Sequence, residues 1–344
     1  MDLKGSLVHC FTPTDNSGIL PITYFHALAR LGAEGLVLIE PAQPFVSLGL
    51  FDDTGTCLDL DFCQSHGLPV MRRETGGGMV LLGPGQVFYT LVIKRGHGRV
   101  PSKVDDAYRY LSAAPIAVYR QFGVPTRLRP VNDIVTQAGR KIAGQGAGDI
   151  NGHFCFVGSI LIDFDTELMH RIAKVPDPAL RPPLKEALDA GMTSLYRETG
   201  VRPSGAAIKA ALAAAFAPLV GELSPRATPA CLTAAARQVA EELAHVETVM
   251  QEDTRPRALF KIREGLYARQ RDIPYRGRRL AVSLLIHEGH VERVHVAGDG
   301  PLVDLSALIG VRFDRSALQA ALATRPDPAL SVDQVIAALM DGVD

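Results

Sequence analysis

The sequence predicts a two-domain α/β protein, a mixed β-sheet with flanking helices followed by a small α+β module. Three observations carry this. Between Gly35 and Asp165, short apolar β-rich runs alternate with Gly- and Pro-containing breaks. From Asp165 the texture becomes Ala- and Leu-rich with helical spacing, and beyond Thr254-Arg255-Pro256 a new hairpin pattern starts. A chain of 344 residues that is 47% apolar can bury more than one core, so we expect a catalytic domain over 1–250 and an accessory domain over 256–344.

The elements follow in order. Pro21–Leu31 reads as a helix with proline in its first turn and Gly32 beyond its end. Gly35–Glu40, Phe45–Leu50, Val70–Arg73, Met79–Leu82 and Val87–Ile93 read as strands of one mixed sheet. Ser102–Phe122 keeps a helical period despite Pro115, and further helices are expected over 165–174, 183–190, 205–219 and 229–251. In the last module, Leu280–Ile286 and His290–Val296 flank Glu288-Gly289 as a hairpin, and the stretch from Leu305 to Met340 reads as short helices.

Composition narrows the function. With 36 Lys and Arg against 37 Asp and Glu the net charge is -1, which gives no field for a polyanion, so no nucleic-acid partner is expected. The most apolar stretch, Ala210–Val220, falls short of the roughly 18 residues a bilayer needs, and the first thirty residues carry no basic segment leading into an apolar one. No membrane association and a cytoplasmic location are expected. Five cysteines without a C-x-x-C pair read as reduced thiols, with Cys57 and Cys63 in packing or surface positions and Cys155 as a buried, inert thiol in an apolar strand. His287 and His290 lack metal-ligand spacing.

Three segments carry chemistry. Arg72-Arg73-Glu74-Thr75-Gly76-Gly77-Gly78 runs from a strand into three glycines, which let backbone N–H groups approach an anion while arginine supplies fixed planar charge. It is neither a Walker loop nor a Rossmann fingerprint. Asn132-Asp133 leads through a turn at Ala138-Gly139 to Lys141, and a lysine fixed on a strand can neutralise two anions brought together. Phe154–Asp165 is an apolar strand containing Gly158-Ser159 and leading into a helix.

Together, in this order, these segments resemble the lipoate-protein ligase A family of the biotin/lipoate ligase superfamily, whose members show R-R-x-S-G-G-G, then N-D with a hairpin to K-I-S-G, then H-H-G-T-L-L. The counterparts are Arg72 to Gly78, Asn132-Asp133 through Lys141-Ile142-Ala143-Gly144, and Phe156-Val157-Gly158-Ser159-Ile160-Leu161; Met192 to Leu195 resembles a later G-I-T-S segment. The resemblance runs from about residue 30 to 200, and the last module is similar to the small accessory domain of these ligases.

The resemblance implies a biotin/lipoate ligase-like fold and an enzyme that converts lipoate and ATP into lipoyl-adenylate and then acylates one lysine of a lipoyl-acceptor protein. Such an acceptor is a glycine-cleavage H protein, an acyltransferase subunit of a 2-oxoacid dehydrogenase or another lipoate-binding protein. It implies catalytic roles for Lys141 and Arg72, and a lipoyl-adenylate site formed by Arg73, Thr75, Gly76, Gly77, Gly78, Val80, Asn132, Asp133, Gly144, Gly158 and Ser159. Magnesium on the polyphosphate is expected, with Asp133 as helper. An apolar tunnel near Phe45, Val46, Met79, Val80 and Ile142 is expected to hold the acyl tail, and the accessory domain to close over the activated acid.

The family's histidine pair is Phe156-Val157 here, and Gly83-Pro84-Gly85-Gln86 looks more like the octanoyltransferases, which share the fold and use a cysteine thioester. One transferase class places that cysteine where Val175-Pro176-Asp177 stands; another places it before the N-D hairpin, and no cysteine occurs between Cys63 and Cys155. Octanoyl transfer and non-catalytic binding of a lipoyl-adenylate or a lipoyl domain are the alternatives.

Overall fold

The computed structural model describes residues 8–175, 178, 181–251, 260–263 and 265–341. An eight-stranded sheet forms its centre, from β1 (Val8–Phe11), β2 (Gly35–Ile39), β6 (Gln86–Lys94), β7 (Thr126–Arg129), β8 (Asp133–Thr136), β9 (Lys141–Ile150), β10 (His153–Leu161) and β11 (Leu223–Arg226). The spatial order is β11-β1-β2-β6-β10-β9-β8-β7, with β11, β1 and β2 parallel and the rest antiparallel.

Both sheet faces are covered. The helices α1 (Leu20–Arg30) and α10 (Ala230–Leu243) bury Phe25, Leu28 and Leu232 against one face, together with Val37, Phe88 and Cys155. The other face packs under α4 (Val104–Leu111), α5 (Ala113–Gln121) and α9 (Gly205–Val220), with Tyr89, Tyr119, Phe156 and Phe216 in the core. The expected helix over 102–122 is two helices meeting at Ser112, and Pro115 sits in the first turn of α5, where no intrahelical N–H is required.

One expectation is corrected here. β3 (Phe45–Leu48), β4 (Val70–Arg72) and β5 (Val80–Leu82) form a separate three-stranded sheet in the order β4-β3-β5. The physical reason lies in β3, which is buried on both faces: Phe45 packs into the α1 core while Val46 and Leu48 join a second core with Cys57, Leu58 and Cys63. A short run apolar at every position specifies burial but not its pairing partner. Around this sheet lie α2 (Thr54–Cys57), α3 (Leu60–Ser65), α6 (Thr166–Ile172), α7 (Arg181–Gly191) and α11 (Val246–Val249), while α8 (Leu195–Thr199) buries Leu195 in the core with Tyr119 and Phe156.

The last module is a four-stranded antiparallel sheet, β12 (Phe260–Arg263), β13 (Leu266–Tyr275), β14 (Arg278–His287) and β15 (His290–Ala297), with α12 (Arg315–Ala323) and α13 (Val332–Met340) on it. The hairpin turns at Glu288-Gly289, both with positive φ, and Val282, Leu284, Leu318 and Leu339 form a core of its own. The expected boundary near Arg255, with Thr254 and Pro256, lies outside the described residues. Among the described residues no helix is long and apolar enough to cross a membrane.

Candidate active site

A cavity of about 630 Å³ opens over β6, β9 and β10 of the central sheet, between them, the β4–β5 connection and the β8–β9 hairpin. Ala268 to Arg271 of β13 also line it, so the last module contributes to its wall. Of the residues expected in the site, the fold brings Arg73, Gly77, Gly78, Val80, Asn132, Asp133, Lys141, Gly144, Gly158 and Ser159 to the cavity.

The β8–β9 hairpin sets the charges. Lys141 Nζ lies 2.7 Å from Asp133 Oδ1, and Arg129 donates to Asp133 Oδ2 at 2.8 Å. Burial alone would raise the Asp133 carboxyl, but the Lys141 charge and the hydrogen bonds from Arg129 and Lys141 outweigh it and hold the group below the usual range. The Lys141 backbone is fixed too, since its carbonyl accepts from Thr193 N at 2.9 Å and it pairs with Met192. A Cβ on Gly144 would stand 3.3 Å from Lys141 Nζ, so this glycine leaves the ammonium its place beside the backbone. Asn132 Nδ2 donates to Gln145 O at 2.6 Å and ties the hairpin together.

The glycine loop is built from inside. Arg73 is buried and donates to Ser47 O at 3.0 Å, Gly76 O at 2.9 Å and Gly78 O at 2.8 Å, so it shapes the loop instead of presenting a guanidinium to a ligand. Gly77 has φ +98°, and a Cβ there would lie 2.7 Å from the Arg73 guanidinium. Thr75 is fully buried against Gly146 and Gly148, and Gly76 N bonds to Ala147 O at 3.4 Å, so these two hold the loop to β9 from outside the cavity lining.

Arg72 is not at the reacting centre. Its buried guanidinium donates to the carbonyls of Gly49, Asp52, Thr248, Val249 and Gln251 at 2.6–3.0 Å, and to Thr54 Oγ1 at 2.9 Å. The expectation of a catalytic Arg72 is corrected accordingly: the fork is consumed in tying the 49–54 loop to the α11 segment. The magnesium role of Asp133 is corrected as well, because both carboxylate oxygens already face cations. Among the described residues no group of three or more His, Cys, Asp or Glu could hold a metal ion. The residues present do not fit a protein-held magnesium.

The acyl tunnel is only half where expected. Met79 and Val80 line the cavity, whereas Phe45, Val46 and Ile142 are buried in the cores behind it. The apolar wall is formed instead by Leu82, Phe88, Val157, Leu161, Met169 and Met192. On β10, a Cβ at Gly158 would lie 2.3 Å from Tyr89 Oη, and this hydroxyl accepts from Gln145 Nε2 at 3.1 Å while Gln145 Oε1 accepts from Ser112 Oγ at 2.8 Å.

Sequence reasoning missed several participants. Arg129 stands four residues before Asp133 on the neighbouring strand, a placement visible once the hairpin is drawn. Cys57, read as a packing or surface residue, is a buried member of the core beside the three-stranded sheet and also lines the cavity, and burial together with Asp52 and Asp53 pushes its thiol up to about 12. Cys155 is fully buried in the α1 core and away from the cavity, and burial raises its thiol further still. Pro176 and Asp177 lie outside the described residues.

Comparison with known proteins agrees with this geometry. Residues 23–217 match the family model of the lipoyl protein ligase A/B catalytic domain. The octanoyltransferase LipM of Kyrpidia tusciae is 27% identical over 221 residues, covering 58% of this chain and 79% of the relative. Among solved structures, the bipartite lipoate protein ligase of Thermoplasma acidophilum, described with its E2 lipoyl domain, superposes with a TM-score of 0.63 at 18% identity over 72% of this chain and 99% of that one. The lipoate complex of P. falciparum LipL1 superposes with a TM-score of 0.55 at 13% identity over 96% of this chain and 98% of that one, so the fold likeness extends through the last module. The match over 23–217 takes in all three motifs, and the chain belongs to the lipoyl protein ligase A/B catalytic domain family.

Proposed function

We propose that this protein activates lipoate or octanoate with ATP as an acyl-adenylate and transfers the acyl group to one lysine of a lipoyl-acceptor protein. The observation that carries this is the pairing of Lys141 with the apolar cavity. A strand-fixed ammonium lines the same cavity as Leu82, Phe88, Val157 and Leu161, an apolar wall suited to an aliphatic tail. In the first step a carboxylate oxygen attacks the α-phosphorus of ATP and pyrophosphate leaves, so two anions must approach against their repulsion. Lys141 donates to both and offsets the charge that gathers between them. In the second step the acceptor amine attacks the acyl carbonyl, forming an amide and releasing AMP. Asp133 and Arg129 hold Lys141 in register throughout, and the Arg73-shaped loop orients the acyl-phosphate junction.

A second reading is octanoyl transfer from a carrier thioester, and the name of the Kyrpidia tusciae relative speaks for it directly. It requires a nucleophilic thiolate. Cys57 is the thiol among the described residues that lines the cavity, and burial, with Asp52 and Asp53 beside it, disfavours its thiolate, which weighs towards the adenylate.

The test supplies an unmodified lipoyl domain with either ATP plus lipoate or octanoate, or an octanoyl carrier thioester, to the full-length protein and its Cys57→Ser variant. The adenylate reading expects acylation only in the ATP arm, undiminished by Cys57→Ser. Acylation only from the thioester, abolished by Cys57→Ser, would establish the second reading in its place.

A further inference from the structure

The cavity has two kinds of wall. Leu82, Phe88 and Val157 belong to the large core under α1, where strands fix their backbones and neighbours fill the space behind them. The other kind is thioether. Three of the chain's seven methionines, Met79, Met169 and Met192, line this one cavity, from the end of the glycine loop, from α6 and from the segment after α7. All three are half-buried and pack on a small cluster whose buried members are Ala173, Leu184 and Leu188, and Met79 and Met169 also touch the core beside the three-stranded sheet. Half-buried thioethers carried on a loop, a helix and an inter-helix segment can re-aim where apolar side chains on strands of the main sheet cannot.

Methionine is unbranched, with three rotatable bonds and a polarisable sulfur, and fits itself to surfaces of changing shape. From this placement we infer that Met79, Met169 and Met192 set the acyl selectivity of the site. Their wall re-forms around tails of different length and width, from a straight alkyl chain to one ending in a dithiolane ring. The inference rests on the acyl-binding reading given above and names the residues that decide which tails are taken. A rigid pocket separates ligands differing by one methylene by about 10–200-fold. This one is expected to show a flat profile.

The experiment is calorimetric binding of hexanoate, octanoate, decanoate and lipoate to the full-length protein, which needs neither ATP nor a carrier. The expected result is octanoate, decanoate and lipoate within about fivefold of one another. In Met79→Ile/Met169→Ile, whose β-branched side chains cannot re-aim, the ratio of lipoate to octanoate affinity should shift at least fivefold, and Met79→Leu/Met169→Leu, which preserves volume, should shift it less in the same direction. A sharp optimum at one acid in the unaltered protein, an unchanged ratio in both folded variants, or binding of none of the acids would overturn the inference. Binding of several acids without any acylation would instead overturn the activation chemistry and leave the methionine wall standing.

Discussion

Lys141 and Asp133 face each other across the β8–β9 hairpin with 2.7 Å between Nζ and Oδ1, and Arg129 takes the remaining carboxylate oxygen. The lysine is therefore oriented before any ligand arrives. Lys141→Ala should lower acyl-adenylate formation by about 10²–10³-fold, the loss typical of removing one donor aimed at developing charge. Its melting temperature should move little, because Arg129 still neutralises Asp133. Asp133→Asn should do the reverse in part, costing roughly 2–3 kcal/mol of stability by leaving two cations with a neutral partner. Single-turnover adenylation and urea unfolding of the two variants separate these effects.

Arg72 offers the opposite case, a motif arginine whose work is architectural. Arg72→Ala should destabilise by roughly 3–5 kcal/mol, since several buried carbonyls lose their donor at once. Arg72→Lys should recover only part of this, because an ammonium lacks the planar fork. Denaturant midpoints measure both, and a stable Arg72→Ala protein that loses only adenylation would return Arg72 to the reacting centre.

Much of this site was legible in the sequence because Gly, Arg, Asn-Asp and Lys stand at short spacings that only a few turns satisfy. The loop of Gly76 to Gly78 and the hairpin carrying Lys141 fall in that class. What was not legible depends on the destination of a side chain. Nothing local distinguishes Arg72, which turns inward to α11 carbonyls 176 to 179 residues away, from Arg73, which turns under its own loop. The same holds for Phe45 and Val46, whose apolar character placed them near a tunnel although both point into cores.

Gly158 gives a packing prediction. A methyl group there would collide with the Tyr89 hydroxyl, so Gly158→Ala should cost roughly 1–3 kcal/mol and disturb the Ser112–Gln145–Tyr89 chain beside the cavity. Combining it with Tyr89→Phe should recover part of the loss, and thermal melts of the single and double variants show whether the two effects couple.

Acid sensitivity should arise beside the glycine loop. His26 is fully buried on α1 with Nδ1 2.9 Å from Glu74 Oε2, and Arg30 reaches the same carboxylate at 3.1 Å. Burial lowers the imidazole, so the ring is neutral and donates from Nδ1. For Glu74, burial would raise the carboxyl, but hydrogen bonds from His26 and Arg30 hold it at about 2. Both folded-state values are depressed. Stability is therefore complete above the unfolded values and falls with acidification, first below about pH 6.5 as His26 must charge, then between about pH 4.5 and 2 as Glu74 is protonated. Glu74→Gln should remove the lower part of this dependence, on the order of 2 kcal/mol, and melting temperatures across pH 3–8 test it.

The central claim, that Lys141 serves an ATP-dependent activation of a free acid, is met most directly by exchange of labelled pyrophosphate into ATP with no acceptor present. The account predicts exchange that depends on lipoate or octanoate, persists in Cys57→Ser and falls by about 10²–10³-fold in Lys141→Ala. Exchange that is absent with every acid, or equal in the unaltered protein and Lys141→Ala, would contradict it.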